Sequence, residues 1–412
     1  MLRQRKFRLL FFAQSASYLG DAVFMIALSF AVLEVTGSTA ALGTVLATGG
    51  AVLVLTLSVS GVWADRLPRI RIMVCADAAR LVTQGVLAAL LLTEQTKMWH
   101  LLVLVAIHQA ATAFFQPART GALPQLLEGR RLVAANGLLG TAENLVWTVG
   151  WAIGGLLVAA IGVGWSVALD ATTFLVSIGL LLAIGRLPAA QSEEQTASFR
   201  RELGEGWREV RSRRWIWFTL VGATSFLLLY EGPLDVVGPA IAADDYSGAS
   251  SWGFILAGAG AGATIGAIIA TTGRLRRPLR TSLWMFLACA VMPVLLLIGA
   301  PVWALVVCNV VVGISFGLFD PLWNSALQRG VPKDRISRVS AWDWMGSLAG
   351  MPVGMALAGW LSEGIGEQIV LTGMAIGTLL VCIAFLREPA VRVIEELGRD
   401  RESPAIDDGG GA

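Results

Sequence analysis

Charge is what this sequence has least of. Asp, Glu, Lys and Arg make up 15% of its 412 residues, where a soluble globular chain carries roughly a quarter. That shortage excludes an ordinary water-solvated fold and a basic nucleic-acid surface. Histidine is scarce too, and the two present are too few for a His-bound metalloenzyme, so no metal is expected. Four cysteines, Cys75, Cys289, Cys308 and Cys382, fall in or beside apolar runs with no paired spacing. They read as small buried hydrophobes. No GxxxxGK[ST], CxxC or HExxH string occurs, which removes P-loop hydrolysis, a dithiol motif and zincin chemistry. No cofactor and no enzymatic activity are expected.

What is present is apolar sequence. Hydrophobic residues make up 56% and mean hydropathy is +0.70. Runs near 20 residues recur, each long enough to cross a hydrocarbon core of about 30 Å. Twelve are predicted, at roughly 9–33, 40–62, 72–93, 99–118, 133–160, 165–185, 215–241, 251–272, 281–299, 302–322, 339–361 and 366–386. The fold class is an all-α polytopic membrane protein of 12 transmembrane helices in contact with the lipid bilayer. The first run has no small-residue cleavage signal and is too long for a removed leader, so it reads as a span. A polar segment, 186–214, forms a cytoplasmic linker between six-helix bundles at 1–185 and 215–386. Residues 387–412, ending DDGGGA, read as a disordered tail. Of the 31 Lys and Arg, 29 fall on one side of these spans. The positive-inside rule puts that side, and both termini, in the cytoplasm. Arg exceeds Lys by 28 to 3, which fits a high-GC bacterium and its inner (plasma) membrane.

A charged hairpin, GVWADRLPRIRIMVCADAAR at 61–80, sits between two runs. So short a turn joins neighbouring antiparallel helices, and Asp77 and Arg80, three apart, face one side of a helix. The halves also repeat. At an offset of 204, Phe115, Pro117, Ala122, Leu123 and Arg131 recur as Phe319, Pro321, Ala326, Leu327 and Arg335. Gly150, Ala152, Gly155 and Leu157 recur as Gly354, Ala356, Gly359 and Leu361. Six spans per half make the repeat parallel, the arrangement of major facilitator transporters.

Over essentially its whole length the chain resembles the major facilitator superfamily. Gly61, Ala64, Asp65, Arg66 and Arg69 match the family signature between spans 2 and 3, while Trp63, Pro68 and Ile70 depart from it. The hairpin, with Asp77 and Arg80, and FFQPARTGALPQLL at 114–127 look like the drug:proton antiporter-3 branch, which includes macrolide exporters and enterobactin-exporter-like permeases. The resemblance implies two parallel six-helix repeats around a central cavity. It also implies a cytoplasmic gate at the hairpin: Gly61, Asp65, Arg66, Arg69, Asp77 and Arg80. Gly150, Gly154 and Gly155 resemble the exporters' GPxxGG signature with Trp151 in place of Pro, or serve plain helix packing.

Ionisable residues inside spans are costly unless they face a cavity. Asp21 lies in span 1, and Glu231 and Asp235 flank Gly232–Pro233 in span 7, where the helix should open. The family likeness makes spans 1 and 7 cavity-lining, so Asp21 and Glu231 are proton or cation-substrate sites, or structural hydrogen-bonders. Glu143 belongs either to the cavity or to a packing network with Asn144. His108, Gln109, Asn309 and Asn324 are weaker cavity candidates. Asp170 should hydrogen-bond near the outer boundary, and Asp320 and Asp343 should pair with arginines of the 329–338 loop. Tyr18, Phe24, Trp147, Trp151 and Phe226 could contact a lipophilic substrate. The implied function is proton-coupled export of amphipathic small molecules by a monomer. The alternatives are a dedicated exporter of an endogenous metabolite such as a siderophore, and a non-transporting membrane receptor or assembly factor.

Overall fold

Residues 2–127, 130–185, 199–272, 275, 277–332 and 335–398 are described by a computed structural model of the chain. Five helices form the first half: α1 (Arg5–Thr36), α2 (Thr39–Arg66), α3 (Arg69–Leu92), α4 (Met98–Ala122) and α5 (Arg130–Ile184). A connecting helix follows, α6 (Phe199–Ser212). The second half holds α7 (Arg214–Phe226), α8 (Gly232–Asp245), α9 (Ala249–Thr271), α10 (Pro278–Met285), α11 (Leu287–Leu297), α12 (Val302–Gly330), α13 (Ile336–Ile365) and α14 (Glu367–Arg387). A last helix is α15 (Arg392–Gly398). Among the described residues there is no strand. A backbone in hydrocarbon must bond all its N–H and C=O groups within the segment, and a helix does so.

Among the described residues, ten stretches are long and apolar enough to cross a membrane. One, Ala134–Ile184, is 51 residues long, far beyond a single crossing. It breaks at Gly162, whose φ of 80° and ψ of 169° no helix holds and which only glycine adopts without strain. The arms 130–161 and 163–184 correspond to the fifth and sixth expected spans. The eleventh falls on α13, which turns into α14 at Gly366 with φ 95°. Gly162 and Gly366 obey the 204-residue offset, so the repeat continues into the turns.

Two places differ from expectation. Span 7 does not open at Gly232–Pro233. The chain widens one turn earlier, where Leu227–Glu231 form a π turn between α7 and α8. Pro233 then falls in the first turn of α8, where a missing N–H costs little. The described part of the tail is folded. Pro389–Val391 form a 3₁₀ turn, and α15 packs on α12 with Val391 2% and Ile394 0% exposed. Val391, Ile394 and Leu397 recur every three residues and give this charged stretch one apolar face. Residues 399–412 lie outside the described residues. The connecting segment carries α6. Glu209 of α6 accepts from Arg213 at 2.9 and 2.6 Å and from Arg335 at 2.7 Å, fastening α6 to the start of α13. The Arg213 and Arg335 guanidiniums hold the Glu209 carboxyl below the ordinary carboxylate range. Residues 186–198 lie outside the described residues.

The halves meet through α5 against α9 and α2 against α13. Both crossings come close at the end of the bundle opposite the termini. A Cβ on Gly155 would stand 2.4 Å from the Ala249 carbonyl oxygen and 3.0 Å from Gly253 Cα. A Cβ on Gly359 would stand 2.7 Å from the Thr39 carbonyl oxygen and 3.0 Å from Gly43 Cα. Gly155 and Gly359 are repeat mates. Beside the second crossing, Ser38 Oγ and the Ala40 N–H donate to Glu363 Oε1 at 2.5 and 3.1 Å. The Trp360 indole N–H donates to Thr44 Oγ1 at 3.2 Å. These hydrogen bonds join the two halves.

Candidate functional site

Polar side chains of α1, α3, α4 and the second arm of α5 converge on one buried point. Arg80 Nη1 lies 3.5 Å from Asp77 Oδ1, 3.6 Å from Asp21 Oδ2 and 3.1 Å from Ser17 Oγ. Ser177 Oγ donates to Asp77 Oδ2 at 2.6 Å. His108 Nε2 lies 3.6 Å from Asp21 Oδ1, and its Nδ1 lies 3.2 Å from Gln84 Nε2. The Phe115 and Phe174 rings face the Arg80 guanidinium at 5.0 and 5.4 Å. Asp170 closes the wall beside Gly20, one turn from Thr173, whose hydroxyl donates to it at 3.4 Å. Solvent reaches this cluster unevenly. The side chain of Asp21 is 13% exposed, against 0% for Asp77, 1% for Arg80 and 4% for His108.

Asp77 and Arg80 are therefore not on the hairpin with the other gate residues. Both lie two to three turns inside α3, and their shared face points at Asp21. Arg69 stays at the hairpin, where its guanidinium covers Gly121 so closely that a Cβ there would collide with it. Gly61, Asp65 and Arg66 close α2, and their side chains lie outside the described residues.

In the second half, Glu231 ends the π turn and Asp235 sits in the first turn of α8, 8% exposed. Four residues apart, the two carboxylates share a helix face. Among the described residues neither has an ion pair or a side-chain hydrogen bond. Asn309 donates to the Ile255 carbonyl at 2.7 Å and ties α12 to α9. Asn324 donates to the Asp320 carbonyl at 2.9 Å within α12. Gln109 packs against Gly49 across α4 and α2. Asp343 does not pair with a loop arginine: it accepts from the Trp323 indole N–H at 2.9 Å, while Arg335 is taken by Glu209.

A line of aromatic side chains runs along α1 and α5. Arg119, which the sequence did not single out, pairs with Glu143 at 3.3 Å and lies 5.6 Å from the centre of the Tyr18 ring. Tyr18 donates to Gln116 Oε1 at 3.3 Å. Trp147 follows at 6.4 Å between ring centres, and Trp151 at a further 5.5 Å. Phe24 packs on His108, and Phe226 on Tyr230 and two phenylalanines. Gly150 and Gly154 let α5 lie on α1, where a Cβ would meet Ala22 Cβ at 2.6 Å and Val23 Cα at 3.0 Å.

One GxSxG string exists, Gly313–Gly317, but it makes no nucleophile elbow. Ser315 is 0% exposed in the middle of α12, and its Oγ donates to the Val312 carbonyl. Among the described residues no cluster of His, Cys, Asp or Glu is arranged to hold a metal ion.

Comparison with known proteins agrees with this architecture. A model of the Major Facilitator Superfamily matches residues 10–345 and 276–407. Macrolide efflux protein A of Streptococcus pyogenes is 23% identical over 400 residues, spanning 95% of this chain and 97% of that protein. Enterobactin exporter EntS of Escherichia coli is 27% identical over 412 residues, spanning 97% and 94%. The crystal structure of the nucleoside transporter NupG shares the fold, with a TM-score of 0.72 at 15% identity over 94% of this chain and 98% of that one.

Proposed function

The chain belongs to the Major Facilitator Superfamily, and we propose that it exports amphipathic small molecules across a bacterial inner membrane in exchange for protons. The observation that carries the coupling is Asp21. It shares one guanidinium with Asp77, so the ionised cluster has two carboxylates for one fixed cation, and Asp21 is the member that solvent touches most. A proton arriving there neutralises the excess charge and frees Arg80 to serve Asp77 alone. Glu231 and Asp235, with no cation of their own, form the second such place in the repeat-related helix. The Tyr18, Trp147 and Trp151 rings suit a lipophilic solute with ring or cationic character.

Transport then requires the closed end to part while the other closes. With both termini in the cytoplasm, the glycine crossings and Glu363 seal the outer side, and this is the inward-facing state. Gly61, Asp65, Arg66 and Arg69 form the gate that closes the inner side in the other state. The relatives named for macrolide efflux and enterobactin export support outward direction. They match at similar identity, so a dedicated exporter of one endogenous metabolite is the second reading. We assign the chain no catalytic chemistry and take the monomer as the working unit.

Purified protein in liposomes with a trapped pH dye tests this. A substrate gradient from a panel of lipophilic cations, macrolides and siderophores should drive opposite proton flux. Asp21→Asn should abolish that flux while downhill substrate movement persists. Proton flux unchanged in Asp21→Asn and in Glu231→Gln overturns the assignment of the coupling site, and substrate movement without protons overturns antiport.

A further inference from the structure

A groove of about 660 Å³ lies apart from the central site, at the end of the bundle that carries both termini. Its position is set by two membrane-crossing stretches, Pro278–Leu297 and Glu367–Arg387. The groove is lined by the first turns of one and the last turn of the other, with α15 as its third wall. It therefore sits where the hydrocarbon gives way to the head groups.

Its chemistry is divided. Leu283, Phe385, Leu386 and Val391 form an apolar floor, and Trp284, 55% exposed, stands at its edge. Tryptophan favours this level of a bilayer because its ring is apolar and its N–H polar. Above the floor stand Arg277, Arg280 and Arg392, and among the described residues none of the three makes an ion pair or a side-chain hydrogen bond. Carboxylates line the groove too. Glu388 is occupied by Arg214 at 3.1 Å and by the Ala390 N–H at 3.1 Å. Glu395 and Glu396 stand on the α15 wall.

We infer that this groove holds one anionic phospholipid. Its phosphodiester lies on Arg277, Arg280 and Arg392, and an acyl chain runs over Leu283, Trp284 and Phe385. Guanidinium groups present paired N–H donors that suit phosphate oxygens, and basic pockets beside membrane helices select anionic head groups. Three guanidiniums with no partner among the described residues favour a head group of net negative charge. Phosphatidylglycerol carries that net negative charge, whereas phosphatidylcholine is zwitterionic. The bound lipid would fasten α15 to the ends of α10 and α14.

The test is native mass spectrometry of the full-length protein in an uncharged detergent, with thermal unfolding as a second readout. Phosphatidylglycerol should be retained at least tenfold better than phosphatidylcholine and should raise the unfolding temperature. Arg280→Ala with Arg392→Ala should lose that preference. Arg280→Lys with Arg392→Lys, which keeps the charge if the alanine pair fails to fold, should retain part of it. Equal retention of the two lipids by the unaltered protein overturns the inference, as does full preference in the alanine pair. Glycerol 1-phosphate binding as well as the lipid would make this a soluble-phosphate site and overturn the lipid assignment.

Discussion

Replacing Gly359 with alanine should push the two halves apart where they now touch. The new Cβ would stand 2.7 Å from the Thr39 carbonyl oxygen and 3.0 Å from Gly43 Cα, well inside the 3.5–4.0 Å at which carbon contacts are favourable. Backbone atoms of two long helices cannot step aside as a side-chain tip can. Overpacking of this kind costs about 1–3 kcal/mol, and the cost exists only while the halves are closed at this end. The equilibrium should move toward the other state by roughly 5- to 150-fold. Gly155→Ala repeats the insult at the symmetric crossing, 2.4 Å from the Ala249 oxygen. The two crossings share no residue, so the costs should add. The assay is cross-linking of Ser38→Cys to Glu363→Cys by a short bifunctional reagent, in a background without native cysteines. Cross-linking should fall in Gly359→Ala and further in the double variant. Gly354→Ala, whose Cβ would clash with the Leu228 carbonyl oxygen within one half, should leave cross-linking unchanged. Undiminished cross-linking in the folded double variant would refute a seam that parts.

Arg80→Met should destabilise the protein by about 3–5 kcal/mol, because it strands buried Asp77 without a cation; thermal unfolding in detergent measures it, and adding Asp77→Asn should recover much of the loss. Glu209 supplies a pH dependence of defined sign. Its folded carboxyl lies below the ordinary range because Arg213 and Arg335 bond its ionised form, so its contribution is present above a pH of about 4.5 and is lost as pH falls through the folded value. Proteolysis of the connecting segment should be flat with pH near neutrality and rise only in acid, whereas Glu209→Gln should raise it at pH 7. Ile394→Ala removes a fully buried side chain at a cost of about 2–5 kcal/mol; protease sensitivity should appear at α15 while the membrane helices stay protected.

The membrane helices are readable from sequence because their signal is local: an apolar run of sufficient length needs no knowledge of its neighbours. The turn glycines were readable in the same way, although the 204-residue repeat from Gly162 to Gly366 went unnoticed. Charge partners were harder. The i, i+3 spacing of Asp77 and Arg80 correctly put them on one face, but Asp21 and Ser177 reach them only through the fold. The expected arginine for Asp343 was wrong for that reason, since Glu209 holds Arg335 and an indole was nearer. The three-residue rhythm of Val391, Ile394 and Leu397 was visible and was outweighed by the charge and glycine around it. Glu363 carried no signal at all. A lone acidic residue near a helix end reads as solvent-facing until Ser38 is found beside it.

The crossing of Gly43 and Gly359 also has a mechanical meaning. It lies close to one end of α2, leaving some 23 residues, a rigid rod of about 35 Å, beyond the point of contact. A pivot without side chains offers little resistance to rotation, and a rod of that length magnifies it. A tilt of about 15° carries the far tip through roughly 9 Å. With the mirrored pivot at Gly155 and Gly253 turning in step, both rods swing about one line. A displacement too small to unpack either half is then enough to admit a drug-sized solute.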